Sequence, residues 1–402
     1  MVMTIQQAFQ QARNALKEQS QPEEAITAYH QAIALDSDLA EVHYNLGNAL
    51  KDQGRLEEAT EAYRQAIALA PDLADAHLNL GMALLVQGNF HSGWAEYEWR
   101  WRCKDFPSPK RDFKQPQWDG GPLEGRTLLL HAEQGAGDAL QFLRYLPLVA
   151  QRGGRIIIEC HETLAGLLKG QRMDHSVVAM SELGPTFDLH CPLLSLPHVF
   201  ATDLASIPQD VPYLQADAAA AKVWNGRLAE HPDSVQVGLV WAGNSKHKND
   251  RNRSVKLASL APLADIPGVS FISLQKGAAA TEAMSPPPGM KLSDWTGELE
   301  DFAHTAALIA ALDLVITVDT SVAHLAGALG KPVWVFLPFA PDWRWLLGRS
   351  DSPWYPTMRL FRQPRPARWD PVITEVRHAL ETFAAARIFS PVSYTHLRAH
   401  ET

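Results

Sequence analysis

The sequence predicts an α + α/β protein, in which an all-helical N-terminal segment precedes two α/β units. Three observations support this class. The first quarter of the chain repeats with a period of 34 residues. After residue 126, short apolar strands alternate with amphipathic helices. This alternation occurs in two series, on either side of residues 216–234. We therefore expect helical hairpins, followed by two parallel sheets with a cleft between them.

The composition is that of a globular protein. The 402 residues suffice for two or three domains, and 45 acidic against 36 basic side chains give a net charge of −9. This acidity argues against nonspecific binding to nucleic acid. No apolar run approaches the ~20 residues of a membrane span, and the first residues lack the apolar core of a signal peptide. Three distant cysteines favour neither disulfides nor zinc, so we expect a cytoplasmic protein.

The repeat in the first quarter has tetratricopeptide spacing. One pattern of small residues and tyrosine occurs three times: Ala25, Tyr29 and Ala32, then Ala59, Tyr63 and Ala66, then Gly93 and Tyr97. In such repeats the small residues let two helices approach and the tyrosine fills the gap. We expect a helical segment over 1–105, with repeats at 6–39 and 40–73 and a divergent one at 74–102. The aromatic second helix of the third repeat favours a cap packed on the next domain over a ligand-binding face.

Two α/β units follow a linker rich in proline and glycine at 106–126. We expect the first unit at 127–215 and an interdomain connection at 216–234. The second unit should span 235–391 and end with a closing helix. In the first unit, apolar runs predict strands near 126–131, 155–160, 176–180 and 187–197. In the second, they predict strands that begin near 235, 269, 312 and 331. Because ligands bind outside the carboxyl ends of parallel strands, the candidate site residues lie in the loops after strands.

A Gly-Asp loop follows the first strand. Its glycines permit close backbone approach, and Asp138 lies at a helix N-terminus, where its charge complements the helix dipole. Asp138 is therefore either an N-cap or a general base facing the cleft, and the segment alone favours the N-cap. The loop lacks the third glycine of a dinucleotide fingerprint.

Two loops of the second unit have the composition of an anion site. One begins with Asn244 and Ser245 and brings four cations into residues 246–253, ending at Arg253. Its amides and guanidinium groups suit phosphate oxygens, and the alternative is a solvated polar loop.

The other loop spans residues 319–324 and opens a helix. The hydroxyl groups of Thr320 and Ser321, with the free amides of the helix start, suit a diphosphate. Asp319 is placed for sugar hydroxyls, and His324 either donates to a phosphate or packs in the core. Further along, six arginines between 344 and 368 are interleaved with aromatic residues, which favours packing of guanidinium groups on rings over stacking of bases.

Together these segments resemble a known family. The strand–Gly-Asp–helix opening, the VGLVWAGN loop and above all DTSVAHLAGALGKPVWVF resemble the heptosyltransferase-like glycosyltransferases of family 9. The whole chain looks like bacterial proteins that fuse tetratricopeptide repeats to such a domain. The resemblance implies a two-domain GT-B fold of twin Rossmann-like units, the first an acceptor domain and the second a nucleotide-sugar domain.

The resemblance also implies an activity. It predicts inverting, metal-independent transfer, with no cofactor, from a nucleotide-diphosphate sugar to a glycan, lipid-linked or protein acceptor. The repeats would recruit the acceptor or a protein partner, and the cytoplasmic protein could lie peripherally at the inner membrane.

The resemblance implies roles for single residues as well. Asp138 matches the general base, and Asp319 matches the donor-sugar contact. The loops 244–253 and 320–324 match the diphosphate contacts. Gln275 falls near the nucleoside contact, where the family commonly has an acidic residue. Two departures stand out, an Asp-Thr-Ser sequence in place of Asp-Thr-Gly and a short first unit.

Two other functions remain open. One is a noncatalytic repeat scaffold with a degenerate sugar-nucleotide fold, and the other is a protein O-N-acetylglucosaminyltransferase, whose donor-loop motifs are not recognised here. Separately, the last eleven residues, 392–402, match the translation of a transposase sequencing-library adapter, so we expect them to be a sequencing-adapter artefact.

Overall fold

The computed structural model describes residues 22–389 except 172–174, 183 and 231–233, together with residues 7, 10–12 and 14. The adapter-like segment 392–402 and most of the first helix of the repeat predicted at 6–39 lie outside the described residues. Within the described ranges, no helix combines the length and apolar character that crossing a membrane requires.

From residue 22 onward, the structure describes five helices in the N-terminal helical module: α1 (Pro22–Leu35), α2 (Ala40–Asp52), α3 (Leu56–Leu69), α4 (Ala74–Val86) and α5 (Phe90–Tyr97). A 3-10 turn, Glu98–Arg102, follows. A Cβ at Gly47 would lie 2.5 Å from the ring of Tyr63, and one at Gly81 would lie 2.8 Å from the backbone nitrogen of Tyr97. The repeating glycines therefore let paired helices touch, which confirms the predicted repeat chemistry.

The first α/β unit has a four-stranded parallel sheet. Its strands are β1 (Thr127–His131), β2 (Arg155–Cys160), β3 (Ser176–Ala179) and β4 (Leu189–Pro192), in the order β3-β2-β1-β4. Its helices are α6 (Ala136–Phe142), α7 (Leu146–Ala150), α8 (Glu162–Lys169) and α9 (Leu196–Val199).

The second unit has a six-stranded parallel sheet. Helix α10 (Ala218–Leu228) leads into it. Its strands are β5 (Val235–Val240), β6 (Val269–Ser273), β7 (Leu292–Asp294), β8 (Leu314–Val318), β9 (Val333–Leu337) and β10 (Met358–Arg362). Its helices are α11 (Asp250–Arg253), α12 (Phe302–Ala311), α13 (Ser321–Ala328) and α14 (Asp370–Phe389).

The strand order makes both units Rossmann-like. The second sheet runs β10-β9-β8-β5-β6-β7, so counting from β5 it has the classical 3-2-1-4-5-6 order. The first sheet has the first four strands of the same order. Strands β7 and β10 were missing from the sequence prediction. Both are edge strands, which can carry polar side chains and need no continuous apolar run.

The aromatic end of the helical module packs on both α/β units. The fully buried ring of Trp94 meets the ring of Trp343, in the second unit, at 5.1 Å and nearly at a right angle. Its indole nitrogen donates to the carbonyl oxygen of Thr202, beyond the first sheet, at 2.9 Å. The predicted capping role is therefore confirmed, and one apolar core runs from the helical module through the first unit into the second.

The predicted linker is also packed. The amide of Trp118 donates to the carbonyl oxygen of His190 on β4 at 2.8 Å, and the Trp118 side chain is buried. This segment therefore packs against the edge of the first sheet at β4.

Candidate active site

The start of α6 in the first unit meets the start of α13 in the second. A Cβ at Gly137 would lie 3.0 Å from the ring of His324 and 3.2 Å from the Cα of Ser321. The glycine permits this close approach, because a larger residue would push the two helices apart. The structure thus brings the Gly-Asp loop and the loop 319–324 to one place at the cleft between the sheets.

Asp138 makes two contacts at this place. Its Oδ2 accepts a hydrogen bond from the amide of Gly135 at 2.8 Å, so Asp138 is the third residue of a capping box, and Gly135 is the N-cap in place of the Asp138 N-cap that the local sequence favoured. Its Oδ1 forms an ion pair with Arg344 of the second unit. The Asp138 side chain keeps 18% of its surface exposed, so a ligand in the cleft can reach it. The cap is present, and the role as general base stays a prediction.

Sequence reasoning missed the ion pair with Arg344. The Arg344 guanidinium lies 4.3 Å from the ring of Trp343, which confirms the predicted packing of arginine on aromatic rings. It also contacts Asp342 at 2.8 Å, and its Nε donates to the side-chain oxygen of Gln141 at 2.6 Å. Burial lowers the pKa of Arg344, but the carboxylates of Asp342 and Asp138 more than offset this and raise it above its ordinary value. Asp138 and Arg344 are 206 positions apart, so no local pattern could reveal the pair.

Arg253 lies against the residues that precede α13. Its Nη1 donates to the carbonyl oxygen of Asp319 at 3.0 Å. Within the described part of the chain, its buried Nε has no hydrogen-bond partner. A Cβ at Gly243 would lie 2.7 Å from its Nη2, so the glycine of the predicted loop makes room for the guanidinium. A cation and a helix N-terminus therefore meet at the switch point between β5 and β8.

Asn244 and Ser245 lie on the exposed part of the same loop. The side-chain oxygen of Asn244 accepts from the amide of Lys246 at 3.0 Å, which stabilises a turn. Their predicted contacts with a donor stay predictions.

The helix start itself is formed by Thr320 and Ser321. Thr320 has an extended backbone, and its hydroxyl lies 3.1 Å from that of Thr317. Ser321 is the first residue of α13, where backbone N–H groups have no partner within the helix.

His324 is buried beneath this helix start. Its Nδ1 lies 3.0 Å from the hydroxyl of Tyr355, and its ring stacks on Trp345 at 5.4 Å. Burial, and then the positive charges of Arg344 and Arg144, hold the pKa of His324 well below its usual range. The ring is therefore neutral, and any contact with a phosphate would be a hydrogen bond rather than an ion pair.

Asp319 is partly buried between the two loops. Burial, and then the negative charge of Asp342, raise the pKa of Asp319 to about 6, while Arg253 opposes the shift. This carboxyl group therefore titrates close to physiological pH.

The side chain of Gln275, for which the resemblance implies a nucleoside contact, is buried after β6, and that contact stays a prediction. Its Oε1 accepts from the amides of Trp241 at 3.0 Å and Ala242 at 2.8 Å. Its Nε2 donates to the carbonyl oxygens of Ala242 at 2.9 Å and Lys276 at 2.8 Å. The side-chain amide thus holds the loop after β5 in place. All four of these hydrogen bonds are made to backbone groups.

Two Rossmann-like units that share a cleft form a GT-B-type fold. Family models match two parts of the chain. A TPR-repeat family model matches residues 14–54 and 47–88, and the model of glycosyltransferase family 9 (heptosyltransferase) matches residues 291–336. The second match includes all of β8 and α13. The chain is thus similar to tetratricopeptide repeats in its first quarter and, over part of its second α/β unit, to heptosyltransferase-like glycosyltransferases of family 9, which supports glycosyl transfer in general.

Single relatives and solved structures resemble this chain only distantly in sequence. Protein FlbA of Caulobacter vibrioides is 28% identical over 317 residues, which are 73% of this chain and 53% of FlbA. The chain thus spans about half the length of this curated relative. The ADP-heptose LPS heptosyltransferase II of E. coli is similar with a TM-score of 0.48 and 14% identity, over 65% of this chain and 99% of that one. A glycosyl transferase family 9 protein from Veillonella parvula gives a TM-score of 0.49 and 10% identity, over 67% and 100%.

Proposed function

We propose that this protein transfers a sugar from a nucleotide-diphosphate donor to an acceptor hydroxyl group, with inversion and without a metal. The observation that carries the proposal is the position of Arg253 against the start of α13, opposite Asp138 of the first unit. This arrangement puts a cation and helix amides on one side of the cleft and a carboxylate on the other.

The cationic side suits the leaving group. The negative charge that develops on a departing nucleoside diphosphate requires fixed donors, and helix N-terminal amides with a guanidinium supply them. We assign this task to Arg253 and the helix start at Thr320 and Ser321, with His324 as a neutral donor. Asp319 would accept hydrogen bonds from hydroxyl groups of the donor sugar.

The carboxylate side suits the acceptor. Asp138 would take the proton of the acceptor hydroxyl group as the oxygen of that group bonds to the anomeric carbon. At the same time, the bond from the anomeric carbon to the diphosphate oxygen would break, and its electron pair would leave with the diphosphate. Arg344 is a positioning residue, because its ion pair orients the Asp138 carboxylate. The acceptor would be a glycan, a lipid-linked glycan or a protein, which the repeats would recruit directly or through a partner.

Calorimetry with a panel of nucleotide-diphosphate sugars tests the proposal. We expect one of them to bind the full chain, and Arg253→Ala to weaken that binding about 10- to 100-fold, as expected for loss of a charge-assisted hydrogen bond. Arg251→Ala is the matched control, because Arg251 is exposed on the same short helix. Equal affinity in Arg253→Ala and the wild type would overturn the assignment. A wild type that binds none of the sugars would indicate the noncatalytic scaffold.

A further inference from the structure

A second cleft lies at the carboxyl edge of the first sheet, outside the residues assigned to the donor. Its volume is about 190 Å³, and it lies between that edge and the segment 101–111, which leaves the helical module. At about 30 Å³ for each water molecule, it could hold about six waters. A space of this size suits one pyranose ring.

Three ring nitrogens in the wall of this cleft have no partner. They are Nε1 of Trp101, Nδ1 of His131 and Nε2 of His161, all buried and all without a hydrogen bond to any described residue. His131 is only 2% exposed. Buried polar atoms are nearly always hydrogen-bonded, and these three unpaired nitrogens on residues that line a single cleft could bind the hydroxyl groups of an occupant once their side chains turn toward it.

The charges in the wall indicate a neutral occupant. Arg111 is paired with Glu159, and Glu133 is held by Arg100 at 2.7 and 3.0 Å. Burial, and then the neighbouring His190 and the arginines, lower the pKa of His131 to about 3, so its ring carries no charge. The structure describes every residue that lines the cleft, and none of them offers an unpaired cation to a phosphate group.

The cleft is connected to the proposed base. Gln134 lines it, and the next residue, Gly135, donates to the carboxylate of Asp138. The side-chain amide of Gln134 donates to the hydroxyl of Tyr97 at 2.9 Å, and its backbone amide donates to Ser108 at 2.6 Å. The helical module and the segment after it therefore hold the loop that joins the cleft to Asp138.

We propose that this cleft binds one neutral, hydroxyl-rich sugar residue of the acceptor, and that Trp101, in the 3-10 turn after the helical module, forms part of its wall. The inference rests on the proposed function, because it assigns the acceptor of that reaction to a glycan without phosphate at the bound residue. It also makes the segment that follows the helical module part of the acceptor site, in addition to any recruiting role of the repeats.

Saturation-transfer NMR on the full chain tests this proposal. The probes are the methyl glycosides of glucose, galactose, mannose and N-acetylglucosamine, with glucose 6-phosphate for comparison. We expect transfer to at least one glycoside and weaker transfer to the phosphate. We also expect Trp101→Ala to abolish the signal and Trp101→Phe, which keeps a ring but removes the N–H group, to weaken binding about fivefold.

Two controls separate the possible causes of failure. Trp99→Ala removes a similarly exposed indole that stacks on His77 at 3.7 Å, away from the cleft, and should leave the signal unchanged. Arg253→Ala should also leave it unchanged. Absence of transfer to every glycoside, unchanged binding in both Trp101 variants, or preference for the phosphate would overturn the proposal. Glycoside binding without nucleotide-sugar binding in calorimetry would overturn the proposed function but keep the cleft.

Discussion

The two sheets share a strand order but differ in the chemistry of their carboxyl edges. At the edge of the first sheet, segment 101–111 covers the loop after β1, and the polar groups of the cleft are neutral or paired. At the edge of the second sheet, Arg253 lies against the start of α13, and Asp319 stays partly exposed. One topology thus presents a neutral cleft at one edge and, at the other, a guanidinium group against a helix start, where we propose that the diphosphate of the donor binds. The difference arises from the loops and from what covers them, which is why fold alone does not define function.

The largest predicted effect concerns Asp138, where the two edges meet. Asp138→Asn should lower kcat by ~10²–10⁴ with nearly unchanged donor affinity, because asparagine keeps the cap but cannot accept the proton. Steady-state kinetics and calorimetry measure the two quantities. Asp301→Asn is the matched control, since Asp301 caps α12 by accepting from His304 at 2.9 Å. Turnover at the wild-type rate in Asp138→Asn would exclude it as the base.

The next prediction tests whether the helical module holds the two edges together. Trp94→Ala should lower the free energy of unfolding by ~3–5 kcal/mol, because it removes a fully buried indole that contacts both units. Urea unfolding followed by fluorescence and circular dichroism measures this loss. The partly exposed Trp99 provides the comparison, and its replacement by alanine should cost much less. Unfolding of the helices alone, with both sheets unaffected, would show that the edges are held independently.

A smaller effect, on donor binding alone, is expected at the carboxyl edge of the second sheet. Gly243→Ala puts a methyl group 2.7 Å from Nη2 of Arg253, so the guanidinium must move. The displaced guanidinium would lose a charge-assisted hydrogen bond to the donor, worth ~1.5–3 kcal/mol, so donor binding should weaken by about 10- to 100-fold. Glycoside binding at the first edge should not change. Gly226→Ala is the control, since nothing lies within 4 Å of a Cβ there. Unchanged donor affinity in Gly243→Ala would show that Arg253 does not contribute to the site.

The smallest effect is a pH dependence at Asp319. Because its folded-state pKa of about 6 lies above the ordinary value of 3.8, its stabilising contribution is complete below pH 4 and is lost as the pH rises through 6. The Asp319→Asn variant has no carboxyl group at this position, so it does not lose this stability as the pH rises. Relative to the wild type, its melting temperature should therefore rise between pH 5 and pH 7.5, by about 2 °C for a difference on the order of 1 kcal/mol. A constant difference in melting temperature over this range would contradict the raised pKa.

The fold was predictable where burial leaves a periodic signal. Apolar runs marked β1, β5 and β8, and the 34-residue period marked the helices that Gly47 and Tyr63 bring together. The edge strands β7 and β10 left no such signal, because β7 has only three residues, none of them fully buried, and arginines interrupt the apolar residues of β10.

The candidate site was predictable only in part. The loops that contain Asp138, Arg253 and Asp319 could be located, because each follows a buried strand. The ion pair of Asp138 with Arg344 could not be foreseen, nor could the occupation of the Gln275 amide by backbone groups. Both depend on contacts between segments that are far apart in the chain.

By itself, the sequence determined the class of protein: a helical repeat module, two parallel sheets and the loops at their carboxyl edges. Periodicity and apolar runs encode this class, because each reflects the burial of one local face. Only the tertiary structure decided that segment 101–111, which follows the helical module, covers one edge, and that His324 is neutral while Asp319 titrates near pH 6. These properties follow from desolvation and from distant charges, which exist only once separate segments have packed together.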